Sequence, residues 1–144
     1  MSDKVFFDSN VLLYGLDNSS KKRKSKVYKL LRDSDAFISP QIVFECLRVA
    51  TKKFKRTKKD SLAFINMIIQ FAEIKNEDSE VVRKALELYS KHSLQVFDSK
   101  IIAAALLADC KILYSEESAM AIQRVVALKS LNEIRCAQRL VITR

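Results

Sequence analysis

The chain has 144 residues but only one glycine, Gly15, and one proline, Pro40. A backbone so poor in turn residues cannot build the glycine-rich loops that cradle phosphates in mononucleotide- and dinucleotide-binding folds. It also argues against an all-β fold, whose many reversals need Gly and Pro. Helices joined to short strands remain. With 49% hydrophobic and 30% charged residues, the chain can bury one core and is too apolar for a disordered protein.

Other scarcities narrow the chemistry. The only histidine is His92, which excludes paired-histidine acid–base catalysis and histidine-rich metal sites; it reads as a charge at a helix end or on the surface. Cysteines stand singly at 46, 110 and 136, without the CxxC spacing of a zinc ribbon or finger. They read as reduced thiols, with Cys46 and Cys110 in the core. The first residues, MSDKVFFDSN, lack the basic start and apolar run of a signal peptide. The longest apolar run, Ile101 to Ala108, is about half a membrane span. The expectation is a cytoplasmic protein with no membrane partner.

The net charge of +9 is concentrated in one third of the chain. Residues 18–59 hold fourteen of the 26 basic residues, in two runs from Lys21 to Arg32 and from Arg48 to Lys59, against Asp33, Asp35 and Glu45. Such a block points to a polyanion, most simply nucleic acid, with two solvated helix faces as the plainer alternative. Lys22, Arg23 and Lys26 in the first run, and Arg48, Lys52, Lys53 and Arg56 in the second, are the candidate phosphate contacts. Phe and Tyr lie mostly in apolar runs, so there is no ring-studded sheet face for stacking bases.

Lys4 to Phe7, Ala36 to Ile38 and Lys111 to Tyr114 read as short buried strands. Arg124 to Leu128 is a possible fourth, and Phe71 to Lys75 an edge strand or turn. Between them lie helical stretches: a short one from Ser9, one capped at Ser19 or Ser20 with Val27, Leu30 and Leu31 inward, and one opened by Ser39-Pro40 and running to about Phe54. Lys58 to about Ile69 follows, with Leu62, Ile65 and Ile69 on one side, then Asp78 to His92 carrying Val82, Ala85, Leu86 and Tyr89. The most apolar helix, Ser99 to Asp109, is capped by Asp98. Tyr14, Tyr28 and Tyr89 fall at helical spacings that suit core packing or an oligomer contact. Short apolar strands alternating with helices indicate a three-layer α/β/α domain with a mainly parallel sheet.

In such a sheet ligands gather beyond the carboxyl ends of the strands. Asp8 stands there after Val5-Phe6-Phe7, and Glu116 and Glu117 stand there after Ile112-Leu113-Tyr114. Asp98 begins a central helix, so its surroundings are expected to be partly buried. At about 100° per residue, Glu45 falls at the margin of the apolar face of its helix, beside Val49, facing a cleft. Each acid also has a plainer use: Asp8 and Asp98 as helix caps, Glu45 as a partner of Arg48, Glu116 and Glu117 as loop charges. Carboxylates converging at one sheet end repel unless a cation compensates, and an oxygen-only site suits Mg²⁺ or Mn²⁺. An acidic metal site beside a basic surface suits phosphodiester hydrolysis: the metal activates water and polarises the phosphate while Lys and Arg hold the backbone.

The order FFDSNVLLY (6–14), SPQIVFE (39–45), VFDSKIIAAAL (96–106) and ILYSEES (112–118) resembles the PIN-domain ribonucleases, most of all the VapC-type toxins of toxin–antitoxin pairs. The resemblance covers roughly residues 4–128. It implies an endoribonuclease that uses Mg²⁺ or Mn²⁺ and leaves a 5′-phosphate and a 3′-hydroxyl. It matches Asp8, Glu45 and Asp98 to three acidic ligands. Glu117 stands where the family usually has aspartate, with Glu116 as its neighbour. Ser9, Asn10 and Ser115 match the polar residues that orient ligands or substrate. A small cognate antitoxin and a homodimer are the implied partners. Two segments depart from the family pattern: Ser118 to Gln123, and the end of the chain. Residues 1–130 read as the nuclease-like domain and 131–144 as an extension of unknown role. The alternative is a PIN-like module that binds RNA or a protein without cutting, for which the glutamate at 117 is the supporting departure.

Overall fold

A computed structural model describes the backbone of residues 3–92, 94–118, 121–126 and 135–141, with side chains up to residue 115. Strand β1 (Lys4–Phe7) leads into a short helix α1 (Ser9–Leu12) and a 3-10 turn (Leu13–Gly15). Then follow α2 (Lys21–Asp33), β2 (Asp35–Ile38), α3 (Pro40–Lys52), α4 (Lys58–Phe71) and β3 (Ala72–Ile74). Helices α5 (Ser79–Lys91) and α6 (Val96–Leu107) precede β4 (Ile112–Ser118), β5 (Ala121–Val126) and β6 (Arg135–Val141). The sheet order is β3-β2-β1-β4-β5-β6. The first four strands are parallel, and β5 and β6 add antiparallel. The expected three-layer α/β/α architecture is what the chain adopts.

The parallel strands explain their own composition. Val5, Phe6 and Phe7 are buried, as are Ala36, Phe37 and Ile38, because helices cover both faces of the sheet. Phe6, Phe7, Leu12, Ile38 and Ile42 are among the largest fully buried side chains, each worth roughly 1.5–3 kcal/mol over exposure. Gly15 sits where a Cβ would come within 3.0 Å of the Phe64 ring, so the one glycine is used for close packing.

Helix starts follow the sequence. The Ser20, Ser39, Thr57 and Asp78 side chains accept from backbone N–H groups at the starts of α2, α3, α4 and α5, and Pro40 occupies the first turn of α3. The start of α6 differs from the expectation. It opens at Val96 behind Gln95, which makes no side-chain cap; Asp98 lies in the first turn, not at the cap. Inner faces differ as well. In α4, Ile65 is buried with Phe64 and Ile68, while Leu62 and Ile69 face out. In α5, Val81 and Leu88 are buried, and Val82, Leu86 and Tyr89 are exposed at 55%, 62% and 50%. Both helices carry apolar residues on more than one side, so periodicity alone does not select the face.

The chain steps β1 to β2 to β3 in one direction and then crosses back to lay β4 on the other side of β1. The reversal opens a crevice at the carboxyl ends of β1 and β4, the position where open α/β sheets bind ligands.

Candidate active site

Asp8 follows the last residue of β1 and caps α1. Its Oδ1 accepts from the Ser9 backbone N–H at 2.6 Å, and its Oδ2 accepts from Ser115 Oγ at 2.9 Å. Ser115 is on β4, so this bond spans the reversal of strand order. The functional and the capping readings of Asp8 are therefore compatible, since one oxygen serves the cap and the other faces β4.

Glu45 reaches the same place from α3. Ser9 Oγ donates to Glu45 Oε2 at 2.8 Å and lies 3.3 Å from Asp8 Oδ1. A hydroxyl has one hydrogen, so the shorter contact takes it and Ser9 ties the two carboxylates together. Glu45 is half-buried, as its helical angle indicates, and its other oxygen accepts from Gln41 Nε2 at 2.5 Å. The alternative pairing with Arg48 is not the one made.

Asp8 is 8% exposed. Burial pushes its carboxyl above the ordinary aspartate value; the Ser115 and Ser9 hydrogen bonds oppose the shift and the nearby Glu45 adds to it. Beneath this pair, Cys46 is pushed up to about 12 by burial and by the charges of Glu45 and Asp8, so its thiol stays protonated and is not a nucleophile.

The remaining acids are placed differently. The Asp98 side chain is exposed, against the expectation of a partly buried first turn; the buried residue there is Ser99, whose Oγ donates to the Gln95 carbonyl at 3.0 Å. Glu116 and Glu117 lie within β4, which runs through Ser118, not in a loop beyond a strand ending at Tyr114. Their side chains are outside the described ones. Asn10 is exposed beside the site. Among the described residues no three His, Cys, Asp or Glu side chains approach closely enough to share an ion. The Asp8–Glu45 pair nonetheless fits a hard divalent cation: its donors are all oxygen, and a cation would offset the cost of burying the Asp8 charge.

The basic candidates lie on α2, on the second half of α3 and just after it. Lys22, Arg48, Lys52 and Lys53 are exposed, and Lys26 is half-buried. Arg23 lies over the Tyr14 ring at 5.1 Å. Arg56 donates from its guanidinium to the Leu16 carbonyl at 3.1 Å, which anchors the end of α3. At spacings of three and four residues, Glu45, Arg48 and Lys52 form one ridge running away from the carboxylates.

Three residues at the site carried no sequence signal recognised above. Lys100 of α6 donates to Gln41 Oε1 and pairs with Glu77 Oε2 at 2.5 Å. A lone lysine in the most apolar helix, two residues after Asp98, was the available clue. Gln41, one turn before Glu45, was the other.

A PIN domain profile matches residues 5–125. The chain is similar to the structure of VapBC2 from Rickettsia felis bound to a promoter DNA fragment, with 14% identity, TM-score 0.60, and coverage of 78% of this chain and 86% of that one. It is similar to VapC20 of Mycobacterium tuberculosis, a toxin that cleaves the sarcin–ricin loop, with 12% identity, TM-score 0.61, and 80% and 91% coverage. It is also similar to FitAcB from Neisseria gonorrhoeae, with 19% identity, TM-score 0.59, and 74% and 83% coverage. No curated protein sequence matches the chain.

Proposed function

The chain belongs to the PIN-domain family, and on that premise we propose that it is a Mg²⁺- or Mn²⁺-dependent endoribonuclease, the toxin of a toxin–antitoxin pair. The observation that carries this reading is the pairing of Asp8 and Glu45 through Ser9 beside β1, in a chain whose residues 18–59 hold most of its positive excess. Asp8 is buried with its carboxyl raised and a second acid beside it, an arrangement that supports a site kept for function.

Asp8 and Glu45 would hold the cation; Asp98, which does not join them in this arrangement, and Glu117 or Glu116 are the further acids that would complete its shell once substrate and ion are bound. When bound, the ion would supply charge neutralisation and an acidified water. Ser9 and Ser115 fix the direction of the Asp8 carboxylate. Asn10, exposed at the start of α1, contacts substrate. Lys22, Arg23 and Lys26 on α2, Arg48 and Lys52 on α3, and Lys53 just after it hold RNA phosphates. Similarity to a toxin–antitoxin complex from Klebsiella pneumoniae supports a small cognate antitoxin as the partner. The apolar stripe on α5 supports a homodimer.

The exposure of Asp98 favours one other reading, a PIN module that binds RNA without cutting it. Incubation of the protein with a mixed RNA set in Mn²⁺, Mg²⁺ or EDTA, beside Asp8→Asn and Asp98→Asn, separates the two. The nuclease gives metal-dependent products that vanish in both variants. The binding module gives no products, and its amide variants hold RNA more tightly because repulsion is reduced. Cutting that survives both variants would sink the assigned site.

A further inference from the structure

We propose that Gln41, held by Lys100, which Glu77 in turn holds, is a positioning residue that fixes the orientation of the Glu45 carboxylate. Its catalytic consequence rests on the nuclease reading; its structural part does not.

The argument starts from donor chemistry. A lysine ammonium only donates and an ionised carboxylate only accepts, whereas a glutamine amide has one end of each kind. Gln41 lies between Lys100 and Glu45, with Oε1 on the ammonium and Nε2 on the carboxylate. Turning the amide over would set N–H groups against the ammonium and a carbonyl oxygen against the carboxylate. The charges on either side therefore select one orientation, and the amide transmits it to Glu45.

Lys100 is itself held. Glu77, just before the cap of α5, pairs with it at 2.5 Å and is only 16% exposed. Glu77 lies at the start of α3 beside Ser39 and Gln41, with its Oε2 on Lys100 and its Oε1 buried without a hydrogen-bond partner. Burial pushes its carboxyl up, but the Lys100 ammonium and the polar groups at the start of α3 outweigh this and hold it below the ordinary glutamate value. The positive end of the α3 dipole acts in the same direction. The contacts thus run in series: Glu77 to Lys100, Lys100 to the Gln41 side chain, and Gln41 to Glu45.

Beyond Gln41 the chain of contacts runs on to the buried acid. With Oε1 on Gln41 and Oε2 on Ser9, Glu45 has both oxygens assigned, and Ser9 leads to Asp8. A surface ion pair needs no such continuation. Outer partners of metal-holding carboxylates commonly change metal affinity or activity by ~10–100-fold when removed.

The test uses the full chain, metal-free and with Mn²⁺. The side-chain amide of Gln41, assigned by its loss in Gln41→Leu, is followed by ¹⁵N NMR. It is expected to exchange slowly in the wild type and in Lys100→Arg. In Lys100→Met it is expected to move to the free-glutamine position. Because Lys100→Met leaves Glu77 buried without its partner, Lys100→Met/Glu77→Gln is measured alongside as the variant expected to fold. With Mn²⁺, the expectation is an about tenfold loss of both ion affinity and kcat in Gln41→Leu, with KM for RNA within about twofold. The Gln41→Leu/Lys100→Met pair should be no worse than Gln41→Leu alone, since both break one chain. A Gln41 amide that does not respond to Lys100, losses that multiply in the pair, or a rise in KM without loss of kcat would overturn the proposal. A wild type that neither binds Mn²⁺ nor cuts RNA would refute the nuclease reading, while the NMR result still decides the positioning.

Discussion

Asp8 shows the conflict between stability and function within one side chain. Its carboxyl titrates above the ordinary aspartate value, chiefly because it is buried. The folded state therefore holds the proton more tightly than the unfolded chain does. Without metal, ionisation of Asp8 costs stability at neutral pH; the cost disappears below the unfolded pKa, where both states are protonated. Asp8→Asn keeps the shape and removes the charge. In EDTA, urea unfolding should show the variant at least as stable as the wild type at pH 7. Its advantage should shrink as pH falls through the raised Asp8 pKa toward 4, and saturating Mn²⁺ should reverse the order. An advantage that is constant across this range would mean that the Asp8 charge is already compensated without a cation.

Elements follow caps and turns, and a chain with one glycine has to end helices without it. The last turn of α6 closes with the Cys110 N–H on the Ala105 carbonyl and the Asp109 N–H on the Leu106 carbonyl, both at 3.0 Å. This is the Schellman pattern, and its left-handed position, φ 56°, is taken by Asp109 where glycine is usual. Asp109→Gly should stabilise the protein by about 0.5–1 kcal/mol, the left-handed strain relieved less the extra entropy of an unfolded glycine. Calorimetry should register a rise of ~2–4 °C in Tm; no rise would mean that the Asp109 side chain earns its place by another contact. The same chemistry decided what was legible in the sequence. Ser20, Ser39-Pro40 and Asp78 announce their helices because a side-chain oxygen is needed at those backbone N–H groups. The start of α6 lies three residues before the expected one because Asp98 has the composition of a cap but sits in the first turn, where the helix dipole also favours an acid. Asp8 and Glu45 could be found from their place after a strand and at the edge of a helix face. Gln41, Glu77 and Lys100 could not, because neutral amides and single lysines acquire meaning only when the fold brings together positions 59 residues apart.

At the scale of the whole molecule, two surfaces stand out. On α5, Val82, Leu86 and Tyr89 share one exposed face, and Val96 and Phe97 at the start of α6 are exposed as well. An exposed apolar stripe of this kind is a candidate for contact with another protein. If that contact is a second copy of the chain, sedimentation should find a dimer for the wild type and a monomer for Val82→Glu/Leu86→Glu. A wild type that is monomeric until an antitoxin is added would assign the stripe to the antitoxin instead.

The second surface is the basic third of the chain, and its arrangement decides how RNA would approach. Arg48 and Lys52 continue the α3 ridge that begins at Glu45, so a backbone lying along it brings a phosphate to the carboxylates while its neighbours are neutralised. These contacts supply affinity without chemistry, and so should act on KM and on salt dependence and leave kcat alone. For single-stranded RNA each lost phosphate contact lowers the slope of log K against log salt by about 0.7. Arg48→Ala/Lys52→Ala should therefore reduce the slope by about 1.4, measured by RNA binding to the Asp8→Asn protein in EDTA between about 50 and 200 mM salt. An unchanged slope would move the RNA path off α3 and onto α2, where Lys22 and Lys26 become the pair to remove.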